Sequence, residues 1–375
     1  MRNVVRSTDI VVIGAGVIGA AVAFELVRRG ASVTLLDART PGGGATHASG
    51  GMLAPYTEAS EGGPLLELGA RSLKLFRAFA HDVASESGVD LNYTEAGSLH
   101  LARTESALAH FEGSRATLAS MQVPASLLTP ADIRALEPAV TSEVLGALLL
   151  PSQAHVSAPA LTRALVAAAA KRGATLIDNV RVTRVTRGAD AWSVDTTGST
   201  LHAQTVVIAA GAWAGGLSIE GVDGHVPVRP VRGQLLHLHF DHPPLSHVTW
   251  DDRCYLVPWN DGTLLVGATM EDVGFEEQTT ASGVKSLIEA VCRVIPAASS
   301  AHVASARAGL RPATPDGLPI IGWSTVAPGV MYATGHFRNG VLLAPLTADV
   351  VARALLDNDN DPALAITSPA RFGRV

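Results

Sequence analysis

One stretch near the start of the chain, from Asp9 to Asp37, limits what the rest of it can be. Asp9-Ile10-Val11-Val12-Ile13 predicts a short buried strand, with four apolar residues in a row. Gly14-Ala15-Gly16-Val17-Ile18-Gly19 follows without a gap, and Val22, Leu26 and Val27 then recur at helical spacing before Arg29. Gly30 closes that helix, and a second apolar strand over 31–36 ends on Asp37. Each part has a physical job. Gly14 permits the tight turn, Gly16 lets backbone approach a pyrophosphate, and Gly19 lets the helix pack closely on the strand. The helix N-terminus offers unpaired N–H groups and a partial positive charge to phosphates. Asp37, 18 residues beyond Gly19, stands where an acid accepts hydrogen bonds from ribose hydroxyls.

NAD, NADP and FAD share this half-site, and the acid at Asp37 disfavours the 2′-phosphate of NADP. The stretch over 39–52 bears on the choice between the other two, unless it is only a flexible surface loop. It is dominated by small residues, among them Gly42, Gly43, Gly44, Ala45, Gly50 and Gly51, so backbone can lie directly against a flat ligand. A flavin ring extends past the pyrophosphate and needs such a surface; a nicotinamide dehydrogenase has no evident need of one.

Composition sets outer bounds. The 375 residues suffice for a large core and two domains. A net charge of −6 gives no drive toward nucleic acid or anionic membrane. Cys254 and Cys292 form no C-x-x-C pair, which suits a reducing cytoplasm. Arg2 and Arg6 ahead of the apolar run 10–24 imitate a secretory leader, but cleavage there would remove the phosphate site. The run is also shorter than the ~20 residues a membrane span requires. His237 and His239 alternate on one strand face without a third ligand at a recognisable spacing, so no metal site is expected.

Helices are predicted over 65–87, 106–121 and 160–172, with Thr129-Pro130 a further helix start. Strands are predicted over 97–101, 146–151, 175–177, 180–186, 192–195 and 201–204, then over 205–209 ahead of the small-residue turn Ala210-Gly211-Ala212. The regions 227–240 and 247–267 read as antiparallel strands of a second domain, with a hairpin turn at Asn260-Asp261-Gly262. A last apolar strand over 329–335 meets His336-Phe337-Arg338-Asn339-Gly340 and a helix over 341–356. That second strand–glycine–helix junction supplies another helix N-terminus, which a flavin uses to stabilise negative charge on its pyrimidine edge.

With both ends of the chain in hand, the sequence resembles the glycine oxidase branch of the D-amino-acid oxidase family of FAD-dependent oxidoreductases. The resemblance covers nearly the whole length. It rests on Ser49-Gly50-Gly51-Met52-Leu53, Cys254-Tyr255-Leu256-Val257-Pro258, Val266-Gly267-Ala268-Thr269-Met270, Ala308-Gly309-Leu310-Arg311-Pro312 and, above all, the run from Gly335 to Pro345. It implies an α/β fold: a Rossmann-like FAD-binding domain with a parallel sheet and β-meander, plus an α+β substrate-binding domain with a mostly antiparallel sheet. The expected division is 1–88, 152–217 and 307–375 for the first, and 89–151 and 218–306 for the second. It also implies non-covalent FAD, oxidation of glycine and small amines by oxygen with hydride transfer to flavin N5, and release of imine and peroxide. In bacteria that imine typically feeds thiazole synthesis for thiamine. Relatives are often homotetramers, so a cytoplasmic homo-oligomer is expected.

The resemblance places Val17 and Ile18 beside the pyrophosphate, and Asp37 and Ala38 at the ribose. Ala45, Thr46, Gly50, Gly51 and Met52 would line the ring system. Val182 would meet the adenine, and the run His336, Phe337, Arg338, Asn339, Gly340, Val341 and Leu342 the pyrimidine edge. Arg311 matches the arginine that holds the substrate carboxylate, Tyr255 its partner, Met270 a pocket wall, and Arg338 a further substrate-side residue. From the residues alone, Arg311 reads equally well as an ion-pair partner of Asp316, and Tyr255 as a packed strand aromatic. Two features depart from relatives. Arg253 stands where a histidine is expected, and Gly309-Leu310-Arg311 carries no cysteine to attach the flavin. Two rival activities fit the same cofactor: a dehydrogenase passing electrons to a quinone or protein carrier, and a non-catalytic electron-relay subunit.

Overall fold

The computed structural model describes residues 6–58, 62–222 and 225–375. Arg2 of the leader-like run lies outside them. The first strand, Arg6–Ile13, is flanked in parallel by Val33–Leu36 and Thr200–Ile208. The sheet continues to Thr175–Ile177 on one side and to Val330–Thr334 and Ile320–Trp323 on the other, all parallel except the last. Parallel strands covered on both faces read as continuous apolar runs, as Ile10 to Ile13 and Val206 to Ile208 do. One face is covered by the helices Val17–Arg28, Pro64–Ser87, Ala158–Lys171 and Gly340–Leu356. Ala20, Ala21 and Ala23 of the first helix are fully buried, and their small side chains let the neighbouring helices approach. Its buried Glu25 accepts from Arg28 Nε at 2.8 Å and Arg29 Nε at 2.6 Å, which compensates the desolvated carboxylate.

The reading from sequence splits 201–204 from 205–209; the structure joins them in one strand, Thr200–Ile208. Its first half pairs with the meander strand Trp192–Thr196 and its second half with Val330–Thr334, so one edge serves two partners in turn. The meander ends on Val182–Arg187.

The second sheet has eight strands. In spatial order they are His302–Ala313, Arg229–His239, Thr263–Gly267, Tyr255–Pro258, Val248–Trp250, Ser98–Ala102, Gly146–Leu150 and Ser126–Leu128. Every pairing is antiparallel except Val248–Trp250 with Ser98–Ala102. Helix Ala281–Val294 packs its Leu287, Ala290, Val291 and Val294 into the apolar core on this sheet. The strand His302–Ala313 belongs to this sheet along its whole length, past the boundary at 307 drawn from the sequence. It crosses toward the first domain and ends beside the junction before the last helix, where Phe337 N–H donates to Pro312 O at 3.0 Å. That bond ties this end of the second sheet to the first domain.

Candidate active site

The glycine loop is shaped by contacts that no side chain could share. Gly14 has φ +107°, and a Cβ built there would lie 2.4 Å from Ala209 O. A Cβ at Gly19 would lie 1.8 Å from Gly14 O, so the helix runs against the loop's own backbone. Gly19 thus sits behind the loop and does not line the cavity. Gly16 faces outward, where an added Cβ would meet only Thr46 Oγ1, at 3.4 Å. The Asp37 carboxylate braces the loop, accepting from Ala15 N–H at 2.6 Å and Arg39 N–H at 2.8 Å. Burial raises its pKa above the ordinary carboxylate value, and those two donors oppose the rise. Thr46 Oγ1 accepts from Val17 N–H at 3.1 Å, taking one first-turn donor of the helix.

An elongated cavity of about 720 Å³ opens in front of this loop. Its walls join the two ends of the chain. Gly14, Gly16, Val17, Ile18, Asp37, Ala38 and Val182 line one part, and Ala45, Thr46, Gly50, Gly51 and Met52 another. His336, Phe337, Arg338, Asn339, Gly340, Val341 and Leu342 line a third, and Tyr255, Met270 and Arg311 close it from the second domain. The two helix N-termini adjoin: a Cβ added at Gly340 would lie 4.0 Å from Val17 Cγ1 and 3.7 Å from His336 Cβ. The residues therefore fit an elongated anionic dinucleotide with a flat head group: two helix N-termini for charge, and glycine-rich backbone for close approach. Arg39, Trp213, Trp250 and Phe275 also line the cavity and are absent from the sequence-based set. Trp213 follows a small-residue turn that the sequence marks; Trp250 and Phe275 carry no local signal.

The end of the cavity walled by the second domain is built on two strands. Arg311 does not pair with Asp316, whose carboxylate accepts from Arg371 Nε at 2.7 Å. The Arg311 guanidinium instead donates to the backbone carbonyls of Thr269 at 3.1 Å and Arg232 at 3.4 Å. It lies across Gly233, where an added Cβ would fall 2.2 Å from its Nη2. Burial lowers its pKa from the usual guanidinium value, the facing Tyr255 opposes this, and the Arg338 charge adds to it. An arginine so placed stays charged at neutral pH. Tyr255 lies across Gly267, its antiparallel partner, and its phenol is pushed up by burial against the opposing Arg311 and Arg338 charges. Arg253 lines the cavity from an exposed turn.

His336 is fully desolvated, its Nε2 is 2.9 Å from Thr347 Oγ1, and burial depresses its pKa to about 3. It is therefore neutral at the cavity wall. Burial likewise lowers His100, His155 and His237 to about 4. His237 Nδ1 meets Ser305 Oγ at 3.2 Å, and among the described residues no three His, Cys, Asp or Glu groups are placed to hold a metal ion. The four imidazoles fix a pH dependence. Protonation is easier in the unfolded chain, with its pKa near 6.5, so their contribution is present above about pH 6.5 and is lost as pH falls toward 3–4. Thermal unfolding followed by circular dichroism is expected to show Tm declining below pH 6.5, with a shallower decline in His336→Gln. An unchanged slope in that variant would remove His336 from the set.

Comparison with known proteins agrees with this geometry. The sequence profile of the DAO family, described as FAD dependent oxidoreductase, matches residues 9–354, and the chain belongs to that family. Its cofactor is FAD. Within the family the chain is similar to the glycine oxidase of Geobacillus kaustophilus (strain HTA426), 36% identical over 346 residues, which are 92% of each chain. The crystal structure of glycine oxidase from Geobacillus kaustophilus superposes with TM-score 0.92 at 34% identity, covering 97% of this chain and 99% of that one. A bifunctional protein ThiO/ThiG of Nostoc sp. (strain PCC 7120 / SAG 25.82 / UTEX 2576) is 36% identical over 364 residues, 95% of this chain and 54% of its own length. Among the described residues no helix is long and apolar enough to cross a membrane.

Proposed function

We propose that this chain oxidises glycine and other small amino acids or amines, such as sarcosine and small D-amino acids, with molecular oxygen as acceptor. The carrying observation is Arg311: a largely buried guanidinium that donates to two backbone carbonyls and faces Tyr255 on the wall of the FAD cavity. Among the described residues no carboxylate forms an ion pair with it; a buried cation so placed is costly, and a substrate carboxylate is the group that completes it, through charge-assisted hydrogen bonds. FAD, held by the glycine loop and the junction at residues 336–342, would supply a hydride acceptor at N5 for the substrate α-carbon and a route for the two electrons to oxygen, which would leave as peroxide. The chain's own residues orient and desolvate. Arg311 fixes the carboxylate, Tyr255 donates a second hydrogen bond to it, Met270 walls the pocket, and Arg338 adds positive charge. The neutral His336 takes no proton between pH 5 and 8. No protein base is assigned, since an amine bound unprotonated needs none. The imine left behind hydrolyses to the 2-oxo acid and ammonia, or serves thiazole formation for thiamine. Similarity to a bifunctional ThiO/ThiG protein supports the latter. A cytoplasmic homo-oligomer is part of the same reading.

The test is an anaerobic screen. Purified holoprotein mixed with glycine, sarcosine, D-alanine or D-proline is expected to lose its flavin absorbance, and under air to consume oxygen with stoichiometric peroxide. Bleaching without peroxide formation would favour a dehydrogenase with another acceptor. No bleaching by any amino acid would favour an electron-relay subunit.

A further inference from the structure

One segment of the second domain reaches over the FAD cavity without belonging to the substrate pocket proper. The loop between Thr263–Gly267 and helix Ala281–Val294 has both feet pinned by one buried guanidinium. Arg232 Nη2 donates to Glu271 Oε2 at 2.5 Å, and Arg232 Nη1 to Gln278 O at 3.1 Å. Between those feet the loop crosses to the first domain. Glu277 makes a two-pronged ion pair with Arg39, at 3.0 and 2.6 Å, and Arg39 stands two residues past Asp37. The Arg39 guanidinium also lies 4.5 Å above the Trp213 ring, and Phe275 packs on that ring at 6.1 Å between centroids. Arg39, Trp213 and Phe275 all line the cavity. Phe275 keeps 56% of its surface exposed, so packing within the loop does not explain why an aromatic stands there.

We propose that residues 271–278 are a strap that retains FAD, and that the Arg39–Glu277 clasp is its fastening. The argument turns on which contacts span the two domains. Arg232 anchors the strap to its own sheet, whereas the clasp and the Phe275–Trp213 contact tie it to the wall around Asp37 and Gly44. A Cβ at Gly44 would lie 3.3 Å from the Trp213 ring, so the tryptophan stands directly against that stretch of the wall. Opening the cavity at this rim requires parting Glu277 from Arg39. The clasp is partly exposed, at 40% and 26% of the two side chains, so salt screens it.

The experiment follows FAD release from purified holoprotein by the rise in flavin fluorescence after dilution, at low and at high ionic strength. FAD is counted whatever amine the enzyme oxidises, so a failure of the substrate assignment leaves this readout intact. Glu277→Gln keeps the size of the side chain and removes its charge. It is expected to speed release about two- to fivefold at low salt, the range of a partly exposed ion pair. High salt is expected to speed release from the wild type and to have little further effect on Glu277→Gln. Phe275→Ala is expected to speed release at both salt concentrations. A charge reversal, Arg39→Glu with Glu277→Arg, is expected to release FAD more slowly than Arg39→Glu alone. Wild-type release from Glu277→Gln, or a salt effect undiminished in that variant, would overturn the proposal.

Discussion

Arg311→Ala is expected to raise the KM for a carboxylated substrate by at least about tenfold, the loss of a charge-assisted contact typically worth about 1.5–3 kcal/mol. FAD is expected to remain bound, because the guanidinium contacts backbone of its own domain and none of the glycine loop. Removing it leaves two carbonyls, of Thr269 and Arg232, turned toward a cavity that water can reach, so the fold loses little. Arg311→Lys is expected to fall between wild type and alanine, since an ammonium keeps the charge but not the planar fork. Steady-state kinetics with glycine or sarcosine, together with the flavin spectrum of each variant, measure both parts. A small carboxylate competitor should lose affinity in parallel with the substrate. An unchanged KM in Arg311→Ala would show that the carboxylate is held elsewhere, and Arg338 would be the next residue to test.

The cofactor half of this site is legible because its parts are local. Strand, glycines, helix and acid follow one another over Asp9–Asp37, and hydrogen bonding of Asp37 to Ala15 N–H closes the unit on itself. The junction at residues 335–342 is equally local, and Gly340 beside Val17 shows the two ends meeting. What the residues alone leave undecided is set by long-range register. Arg311 is ambiguous next to Asp316 in sequence; the pairing of Asp316 with Arg371, 55 residues away, removes the ambiguity. The strand that carries Arg311 escapes notice because His302–Ala313 is rich in Ala, Gly and Ser, which weakens any period-two pattern. Trp250, at the end of the strand Val248–Trp250, and Phe275, in a loop, reach the cavity only through the arrangement of both sheets, so no spacing announces them.

A second pattern at the substrate end is visible only in three dimensions and carries a strong prediction. Both proposed substrate-binding side chains lie across glycines of the neighbouring strand: Arg311 over Gly233, and Tyr255 over its cross-strand partner Gly267. A Cβ at Gly267 would fall 2.1 Å from Tyr255 Cζ and 2.4 Å from its hydroxyl oxygen. The ring has no retreat on its other side, since a Cβ on Gly50 of the first domain would come within 2.9 Å of Tyr255 Cε2. The phenol is thus held between a glycine of each domain, and its hydroxyl position follows from two missing side chains. Gly267→Ala is expected to displace the ring and to lower kcat/KM for glycine-like substrates about 10- to 100-fold, the cost of misplacing an orienting group by about 1 Å. Tyr255→Phe removes a single hydrogen bond, worth about 1 kcal/mol, and is expected to cost only about fivefold. The milder change to the glycine is therefore expected to do more damage than deleting the hydroxyl it positions. FAD absorbance and Tm measured alongside separate this from unfolding. A Gly267→Ala enzyme as active as Tyr255→Phe or better would show that the ring finds another seat, and that the glycine pair does not set the pocket.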